Sequence, residues 1–306
     1  MAARSHDSMP RVSIGVPVYN GERYLRETLN AALSQTFGNF EVVISDNAST
    51  DGTQEICRVY AARDSRIRYF RNSTNVGSAM NFNRVFELSS APYFKLANAD
   101  DLCGPELVAR CVAVLDDHPE AVLVYARTTL IDQHGVSQGL YDDRLDIRSS
   151  RASDRFCQVM DRLGLVNVLQ GVMRSSALRR TGLLGPYVGS DSVLVAELAL
   201  YGQFWELSEP LFYRRMHPEA LSGLKSPEKR WAYVAPHAKG GLHLYHWRHL
   251  REHLAAVGRA PLPVADRLAL LARLLRRAIA GRDQLLAELM TVPSWFLRTK
   301  LLGRRE

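Results

Sequence analysis

The sequence predicts an α/β fold in which a mostly parallel sheet is flanked by helices and followed by an α-helical C-terminal appendage. Two observations predict the sheet: short apolar runs alternate with amphipathic helical segments, and polar clusters follow the apolar runs. A shift to a His-, Arg- and Leu-rich composition after Ser226-Pro227 predicts the appendage. The length of 306 residues suits one large domain with an appendage, or two domains.

Apolar runs of strand length alternate with helical segments in the first half of the chain. In the first helical segment Leu25, Leu29 and Leu33 recur at intervals of four, which places them on one helix face. This alternation is typical of parallel strands joined by crossover helices. The predicted strands are Val12–Val18, Phe40–Ser45, Ile67–Arg71, Tyr93–Ala97 and Ala121–Tyr125. The predicted helices are Tyr24–Phe37, Thr53–Ala62, Gly77–Leu88 and a segment beginning at Pro105.

The second half of the chain is less regular. Helices are predicted at Asp154–Leu163, Ser190–Tyr201 and Ala265–Met290, and an extended segment at Leu211–Met216. In the last helix arginines are interspersed with an apolar stripe. That pattern suits either anionic lipid headgroups or docking onto the acidic first part of the chain.

The net charge of +7 is unevenly distributed along the chain. Residues 221–306 contain 16 Lys and Arg against 6 Asp and Glu, whereas residues 1–220 contain 23 against 26. The whole basic excess therefore lies in the C-terminal region. This distribution argues against a nucleic-acid partner for the main body of the protein.

Cysteine usage and the lack of long apolar segments indicate the compartment. The four cysteines, Cys57, Cys103, Cys111 and Cys157, form no C-x-x-C pair and are predicted to be free thiols in a reducing compartment. Residues 1–11 lack the apolar core of a signal peptide, and no apolar run reaches the length of a membrane span. We therefore expect a cytoplasmic protein, either free or peripheral at the inner face of the membrane.

Polar clusters follow four of the predicted strands, at Tyr19-Asn20, Asp46-Asn47, residues 71–75 and residues 98–101. The carboxyl ends of parallel strands meet at one edge of a sheet, and ligands bind beyond that edge. We therefore predict that these four loops together form a ligand site.

Neither of the two glycine-rich phosphate-binding motifs, GxGxxG or GxxxxGK[ST], is present. The phosphates of a bound nucleotide would therefore need a metal ion or side-chain cations. Asn98 and Asp100 leave the same side of an extended loop, and their oxygens suit Mg²⁺ or Mn²⁺. Such an ion would stabilise charge on a departing diphosphate. The alternative is that Asp100 and Asp101 only cap the helix that begins near Pro105.

Several segments of the chain match the motifs of one known family. They are VSIGVPVYNGERYLRETLNAALSQTFGNFEVVISDNASTDGT (Val12–Thr53), RNSTNVG (Arg71–Gly77), YFKLANADDLCGPE (Tyr93–Glu106), Gly185–Gly202 and Tyr213–Pro218. In these motifs the chain resembles the bacterial family 2 glycosyltransferases, inverting enzymes of the GT-A fold that use nucleotide-diphosphate-sugars. The resemblance covers roughly residues 11–220. It implies a GT-A catalytic domain over residues 1–220 and a basic helical C-terminal region over residues 221–306.

The resemblance also implies which residues bind the donor. Those implied for nucleotide-sugar binding are Pro17, Tyr19, Glu22, Asp46, Asn47, Arg71, Asn98, Ala99 and Asp100. A carboxylate at Asp46 accepts the ring N–H of uracil or thymine, so UDP-sugar is the favoured donor and dTDP-sugar the next. A turn-forming role for Asp46 and a solvated surface position for Arg71 are the alternatives. Asp51 is expected to begin a helix rather than to touch the ligand.

The family's Asp-x-Asp position is occupied here by Asn98-Ala99-Asp100. An amide oxygen is a neutral and weaker ligand than a carboxylate. The resemblance therefore implies Asp100 as the main ligand of Mn²⁺ or Mg²⁺, with support from Asp101. Further candidates for the metal or the diphosphate, each with a surface position as the alternative, are His217, Arg214 and Arg215.

Inversion by direct displacement requires a base that takes the proton of the acceptor hydroxyl. Gly189-Ser190-Asp191 precedes a predicted helix and matches the family's later acidic motif, so the resemblance implies Asp191 as that base. An N-cap role is the alternative for Asp191. Glu197, in the same helix, is a second and weaker candidate.

We expect a metal-assisted transferase that acts on a hydroxyl of a glycan, glycolipid or small molecule, as in polysaccharide biosynthesis. The acceptor pocket is expected within about Leu130 to Pro186, and a peripheral membrane contact is expected through the C-terminal basic helix. A sugar-nucleotide-binding pseudoenzyme without transfer activity is the alternative. A minor alternative is a zinc peptidase, because His249-Leu250-Arg251-Glu252-His253 reads H-x-x-E-H.

Overall fold

A computed structural model describes residues 9–237 and 244–290. Residues 1–8, on which part of the prediction about the N-terminus rests, lie outside this range. Parts of the predicted basic C-terminal region, residues 238–243 and 291–306, lie outside it too. The described residues form a nine-stranded sheet with two buried apolar clusters and a series of helices around it.

The elements follow one another along the chain in a βα alternation that becomes irregular after residue 121. The strands are β1 Val12–Val18, β2 Phe40–Asp46, β3 Ile67–Arg71, β4 Tyr93–Leu96, β5 Leu102–Cys103, β6 Ala121–Ile131, β7 Ser137–Tyr141, β8 Val172–Arg174 and β9 Gln203–Arg215. The helices are α1 Leu25–Leu33, α2 Thr53–Arg63, α3 Ser78–Glu87, α4 Leu107–Asp117, α5 Ala152–Arg162, α6 Ser175–Leu178, α7 Ser190–Leu198, α8 Pro227–Val234, α9 Tyr245–Arg259 and α10 Val264–Ala280. Residues 282–290 are also helical.

The sheet has the strand order β3-β2-β1-β4-β8-β6-β9-β5, and β7 pairs with β6. The first four strands run parallel to one another, as do β6 and β9, whereas β8 lies antiparallel between β4 and β6. The predicted mostly parallel sheet flanked by helices is therefore confirmed. The five predicted strands are all present.

Two elements differ from the prediction because long-range pairing decides them. β6 continues to Ile131 rather than ending at Tyr125, because β9 pairs with it in parallel along nearly its whole length. The predicted extended segment Leu211–Met216 is the second half of this β9. β8 has only three residues, which is too short to leave a pattern in the sequence, and it exists because β4 and β6 hydrogen-bond to it on both sides.

The C-terminal helices share a buried core with the sheet domain. Val257 of α9 and Leu274 of α10 lie in the same apolar cluster as Phe156 of α5 and Leu194 of α7. On the surface, Arg273 and Arg277 of α10 both pair with Asp161 of α5 at 2.6 Å. One predicted alternative for the arginine stripe, docking onto the first part of the chain, therefore holds for these two arginines.

The structure describes the cysteines and the helices that the expectations about the compartment rest on. All four cysteines are free thiols, as predicted. Within the described ranges, no helix is both long and apolar enough to cross a membrane.

Candidate functional site

The loops that follow β1 and β2 are joined by hydrogen bonds at one edge of the sheet. The two strands pair in register up to Val18 and Asp46, so their loops begin side by side. Asn20 Oδ1 accepts the backbone N–H of Thr50 at 2.8 Å. Two of the four polar loops predicted to meet at this edge therefore lie side by side.

Asp46 ends β2 and has no solvent-exposed surface. Its Oδ1 accepts the N–H of Ser49 at 2.8 Å, and its Oδ2 accepts the O–H of Tyr69 at 2.9 Å. The guanidinium of Arg71 also donates to Oδ2. A pyrimidine that bonds Asp46 must displace one of these donors, and Arg71, with 32% of its side chain exposed, is the outermost of them.

The Asp46 carboxylate keeps its two side-chain partners protonated. Burial and the hydrogen bond to Asp46 raise the pKa of Tyr69 to about 12. The hydrogen bond to Asp46 likewise raises the pKa of Arg71. The loop therefore presents an acceptor and a cationic donor side by side, which matches the adjacent N–H and C=O groups of a uracil or thymine edge.

Asparagine side chains behind Asp46 form a network that sequence reasoning missed. Asn47 Nδ2 donates to Asn75 Oδ1 at 2.8 Å, and Asn47 Oδ1 accepts from Asn72 Nδ2 at 2.9 Å. Asn81 Nδ2 donates to the carbonyl of Ser45 at 2.9 Å. Asn47 therefore holds the 72–77 loop beside β2, and its contact with a ligand stays a prediction. The repeated asparagines in RNSTNVGSAMNFN were the available signal.

The loops after β1 and β2 present one exposed aromatic ring and two structural carboxylates. Tyr19 is 47% exposed and lies two residues after Pro17, just past the end of β1. Glu22 Oε2 accepts the N–H of Gly52 at 2.9 Å, at the start of α2. Asp51 Oδ1 accepts the N–H of Thr53 at 3.0 Å, so its predicted role at the start of this helix is confirmed.

The loop after β4 separates the roles of its two aspartates. Asp100 Oδ2 lies 3.0 Å from His217 Nε2, and 31% of the Asp100 side chain is exposed. Asp101 is buried, and its oxygens accept the backbone N–H of Arg215 at 2.8 Å and the Nδ2 of Asn98 at 3.0 Å. Asp101 therefore fixes the shape of the loop, while Asp100 and His217 face each other.

Arg215 is a structural residue, which corrects the expectation that it meets phosphate or solvent. Its side chain is 1% exposed. It donates through Nε to the carbonyl of Asp100 at 2.9 Å and through Nη2 to Glu27 Oε2 at 2.7 Å. These bonds attach the Asp100 loop to α1 and β9.

Arg214 belongs to a second buried polar network that the sequence gave no sign of. Its Nη1 donates to Asn167 Oδ1 at 2.6 Å, and Asn167 Nδ2 lies 3.4 Å from Asp143 Oδ2. Burial raises the pKa of Asp143 to about 6, although Thr128 donates a hydrogen bond to it. The positive charge of Arg214 reaches both Asp143 and Asp191.

Asp100 and His217 fit a divalent cation by their chemistry and spacing. Neighbouring ligands of an octahedral Mg²⁺, each about 2.1 Å from the ion, lie about 3 Å apart. Asp100 Oδ2 and His217 Nε2 share a hydrogen bond at 3.0 Å in the structure, and this separation also equals the ligand spacing. The described residues contain no group of three His, Cys, Asp or Glu arranged to hold a metal, so the remaining ligands would be diphosphate and water.

Asp191 lies in the first turn of α7, two residues after Gly189, which adopts a left-handed conformation. Burial raises the pKa of Asp191, against the lowering effects of the Ser192 N–H and the nearby His249 and Arg214. A carboxylate with a raised pKa beside a helix start has the properties of a general base. Gly189 is the N-cap of α7, so Asp191 is not, although its Oδ1 accepts the N–H of Ser192 at 2.8 Å in the first turn.

Glu197 is excluded as a base, which corrects its place as second candidate. Its side chain is 1% exposed and forms a two-pronged ion pair with Arg259 of α9, at 2.8 and 2.9 Å. Glu197 Oε2 also accepts the N–H of Gly182 at 3.0 Å. With both oxygens occupied inside the protein, Glu197 holds α9 against α7.

The H-x-x-E-H segment lies in α9 and does not form a zinc site, which corrects that alternative. His249 Nε2 lies 3.0 Å from the carbonyl of Val188, and His253 Nδ1 lies 2.7 Å from the carbonyl of His249. Glu252 pairs with Arg248 at 2.9 Å. Burial lowers the pKa of His253 to about 4, so this ring is a neutral part of the core.

The profile of a known protein family matches the first half of the chain. The profile described as glycosyl transferase family 2 matches residues 13–159. An uncharacterised glycosyltransferase of Haemophilus influenzae is 24% identical over 229 residues, which cover 73% of this chain and 71% of the relative. The Rickettsia typhi protein named uncharacterised glycosyltransferase RT0329 is 34% identical over 46% of this chain and 43% of its own length. The chain thus spans about half the length of several relatives that it matches more strongly.

Solved structures share the fold. The crystal structure of TarS residues 1–349 from S. aureus in complex with UDP-GlcNAc has a TM-score of 0.63 and 19% identity, over 91% of this chain and 79% of that one. Mannosyltransferase PcManGT from Pyrobaculum calidifontis, in complex with GDP-Man and Mn²⁺, has a TM-score of 0.51 and 19% identity, over 93% and 87%. The GT-A fold implied by the sequence motifs is therefore confirmed.

Proposed function

The chain belongs to glycosyl transferase family 2 through residues 13–159, and on that premise we propose that it transfers a sugar from a nucleotide-diphosphate-sugar to an acceptor hydroxyl with inversion. The observation that carries the proposal is the placement of two functional pairs on one sheet edge. Asp46 and Arg71 pair at the ends of β2 and β3, and Asp100 and His217 pair beyond the ends of β4 and β9. The first suits a pyrimidine base and the second a metal-bound diphosphate.

UDP-sugar is the donor we favour, and dTDP-sugar is the next. The Asp46 carboxylate and the Arg71 guanidinium complement the edge shared by uracil and thymine. Tyr19, in the loop after the neighbouring strand β1, offers an exposed ring. Asn98 Oδ1 accepts no hydrogen bond within the described ranges, so it is available to a ribose hydroxyl.

Asp100 and His217 would hold Mn²⁺ or Mg²⁺ together with the diphosphate oxygens of the donor. When bound, such an ion stabilises negative charge on the departing diphosphate. The protein's own contribution is position: Arg215 bonds the Asp100 carbonyl and Asp101 bonds the Arg215 backbone, so the loop that carries Asp100 is held from both sides.

Asp191 is the proposed general base. As the acceptor oxygen bonds the anomeric carbon, its proton passes to the Asp191 carboxylate. The bond from the anomeric carbon to the diphosphate oxygen breaks, and its electron pair leaves with the nucleoside diphosphate. Attack from the side opposite the leaving group inverts the configuration at that carbon.

Donor hydrolysis separates this transferase from a pseudoenzyme that only binds sugar nucleotides. We expect slow release of UDP from UDP-sugars that requires Mn²⁺ or Mg²⁺ and is lost in Asp100→Ala. The exposed Asp142, 71% exposed at its side chain, supplies a matched control in Asp142→Ala, which should behave as the wild type. Binding of the donors without any turnover, with every acceptor tried, would favour the pseudoenzyme.

Replacing the base tests the mechanism itself. Asp191→Asn keeps the size of the side chain and removes its basicity. Donor affinity, measured by calorimetry, should be unchanged, and transfer should fall by about a hundredfold or more. If the variant loses donor affinity as well, the role of Asp191 is structural.

We also propose that α10 binds an anionic membrane surface, which places the protein at the inner face of the membrane. The outward face of this helix is apolar, since Val264, Leu268, Leu275 and Ile279 are each more than half exposed. The opposite face, with Leu270 and Leu274, is buried. Residues 221–306 carry a net charge of +10, so two copies would repel each other here, whereas anionic lipids would attract this region.

A further inference from the structure

A cavity of about 530 Å³ lies between α8, α9 and the segment before α7, outside the donor site. Its volume falls within the range of about 300–1,000 Å³ that is usual for small-molecule sites. The residues that matter for its chemistry are Tyr187, Trp231, Tyr245, Trp247, Arg248 and His249. The donor-binding and metal-binding groups described above do not line it.

The wall of this cavity packs directly against the start of the helix that carries Asp191. A side chain at Gly189 would lie 2.6 Å from His249 Cε1 and 3.3 Å from the hydroxyl of Tyr245. The charge of Asp191 acts on both of these side chains. A ligand in the cavity would therefore lie beside the proposed base.

The helix α8 also contacts the loops of the donor site. The carbonyl oxygen of Val234, the last residue of this helix, would be 2.2 Å from a side chain at Gly77. Gly77 belongs to the loop that Asn47 holds next to Asp46. Trp231 faces the cavity from the same helix. One helix thus contacts both the cavity and the nucleotide loops.

The lining is aromatic and carries two arginines. Tyr245 and His249 stack with their ring centroids 4.2 Å apart, and Arg248 lies over the ring of Tyr187 at 4.8 Å. Arg251 also lines the cavity, and Glu252 is the ion-pair partner of both arginines. Aromatic faces beside guanidinium donors suit a saccharide, which offers C–H faces to the rings and hydroxyl oxygens to the N–H donors.

We propose that this cavity is the acceptor site and that it binds a saccharide. The C–H groups on one face of a sugar ring carry partial positive charge, and they meet the electron-rich faces of aromatic rings. The hydroxyl that is glycosylated would then point to Asp191. The inference rests on the proposed transfer function. It moves the expected acceptor pocket from Leu130–Pro186 to the junction with the C-terminal helices.

Binding of simple glycosides tests the proposal without any need for turnover. Methyl and octyl glycosides of glucose, galactose, mannose and N-acetylglucosamine are titrated into the full-length protein by calorimetry. The methyl and octyl glycosides of at least one of these sugars should bind. Trp231→Ala should weaken that binding by about tenfold, the upper range for one aromatic contact. Trp231→Phe, which keeps a ring, should restore most of the affinity and also shows that the fold tolerates a change there.

A second tryptophan provides the matched control. Trp205 stacks on His118 and Arg148 on the far part of β9, away from the cavity. Trp205→Phe should bind glycosides as the wild type does. Equal affinity for methyl and octyl glycosides indicates a free saccharide, and preference for octyl glycosides indicates a lipid-linked one. Either result supports the cavity as the acceptor site only if Trp231→Ala weakens the binding of the glycoside.

Failure of this inference is distinguishable from failure of the proposed function. If no glycoside binds, or if Trp231→Ala binds as well as the wild type, the cavity is not the acceptor site. Metal-dependent hydrolysis of UDP-sugars by the wild type would still support a transferase in that case. Absence of both UDP-sugar binding and hydrolysis would instead overturn the transferase itself.

Discussion

At Asp191 the effect of burial on the carboxyl group is larger than the effect of its charged neighbours. His249 faces it from α9 and Arg214 from β9, and both lower its pKa. Burial outweighs them, so the net pKa is raised. Because of its burial, the Asp191 carboxylate thus accepts a proton more readily than an exposed aspartate does.

The raised pKa predicts the pH dependence of the reaction. A base works only when it is unprotonated, so kcat/KM should fall toward acid pH. The fall should begin above the value of about 3.9 that is normal for aspartate. Comparing pH profiles of the wild type and Asp191→Asn checks this, since the acid limb should be absent in the variant. An acid limb that persists in Asp191→Asn would belong to another group.

At the scale of elements, the contact between α7 and α9 decides which acidic residue is free to act. Glu197 of α7 pairs with Arg259 of α9, while Gly189 allows His249 to lie against the start of α7. Asp191 is left between these two contacts. The helix that carries the base is therefore positioned by a helix from the C-terminal region.

Gly189→Ala tests this contact. Gly189 has a φ of +83°, and an added methyl group would meet His249 at 2.6 Å. We expect a loss of about 1–3 kcal/mol in the free energy of unfolding, from the left-handed backbone and the overlap together. The measurement is denaturant unfolding followed by circular dichroism.

Gly258→Ala is the matched control for this substitution. Gly258 lies within α9, and no atom would lie within 4 Å of its new methyl group. Alanine is the better helix former, so this variant should gain up to about 1 kcal/mol. If Gly189→Ala proves as stable as the wild type, the contact between α7 and α9 is not as close as described.

At the scale of the whole molecule, the C-terminal region has two faces with different roles. Its inner face completes the apolar core through residues such as Val257 and Leu274. Its outer face presents the exposed apolar side chains of α10. A region predicted as an appendage therefore shares the core of the sheet domain, and it provides a surface for the proposed membrane contact.

Vesicle co-sedimentation tests that surface. The protein should bind vesicles of phosphatidylcholine with phosphatidylglycerol, should bind phosphatidylcholine alone weakly, and should dissociate as salt is added. The triple variant Leu268→Glu, Leu275→Glu, Ile279→Glu should lose most of the binding. Val136→Glu with Leu140→Glu changes exposed apolar residues elsewhere and should bind as the wild type does. Equal binding by both variants would rule out α10 as the contact.

The sequence by itself determined the strands β1 to β4 and the polar loops that follow them. The residues of β1, β2 and β4 are almost all buried, so an apolar run leaves a local pattern that can be read without the fold. Parallel strands then bring their carboxyl ends to one edge, so Asp46 and Asp100 lie at the same edge of the sheet. The family motifs added the expected roles of these residues.

Only the tertiary structure decided between residues that look alike in sequence. Asp191 and Glu197 are acidic residues of one helix, and what separates them is the pairing of Glu197 with Arg259, which lies 62 positions later. Only the tertiary structure likewise shows the position of Arg215 beneath the Asp100 loop, the three-residue strand β8 and the cavity beside Asp191. The physical reason is that burial, ion pairing and strand pairing depend on neighbours in space, whereas periodicity and turn chemistry depend on neighbours in the chain.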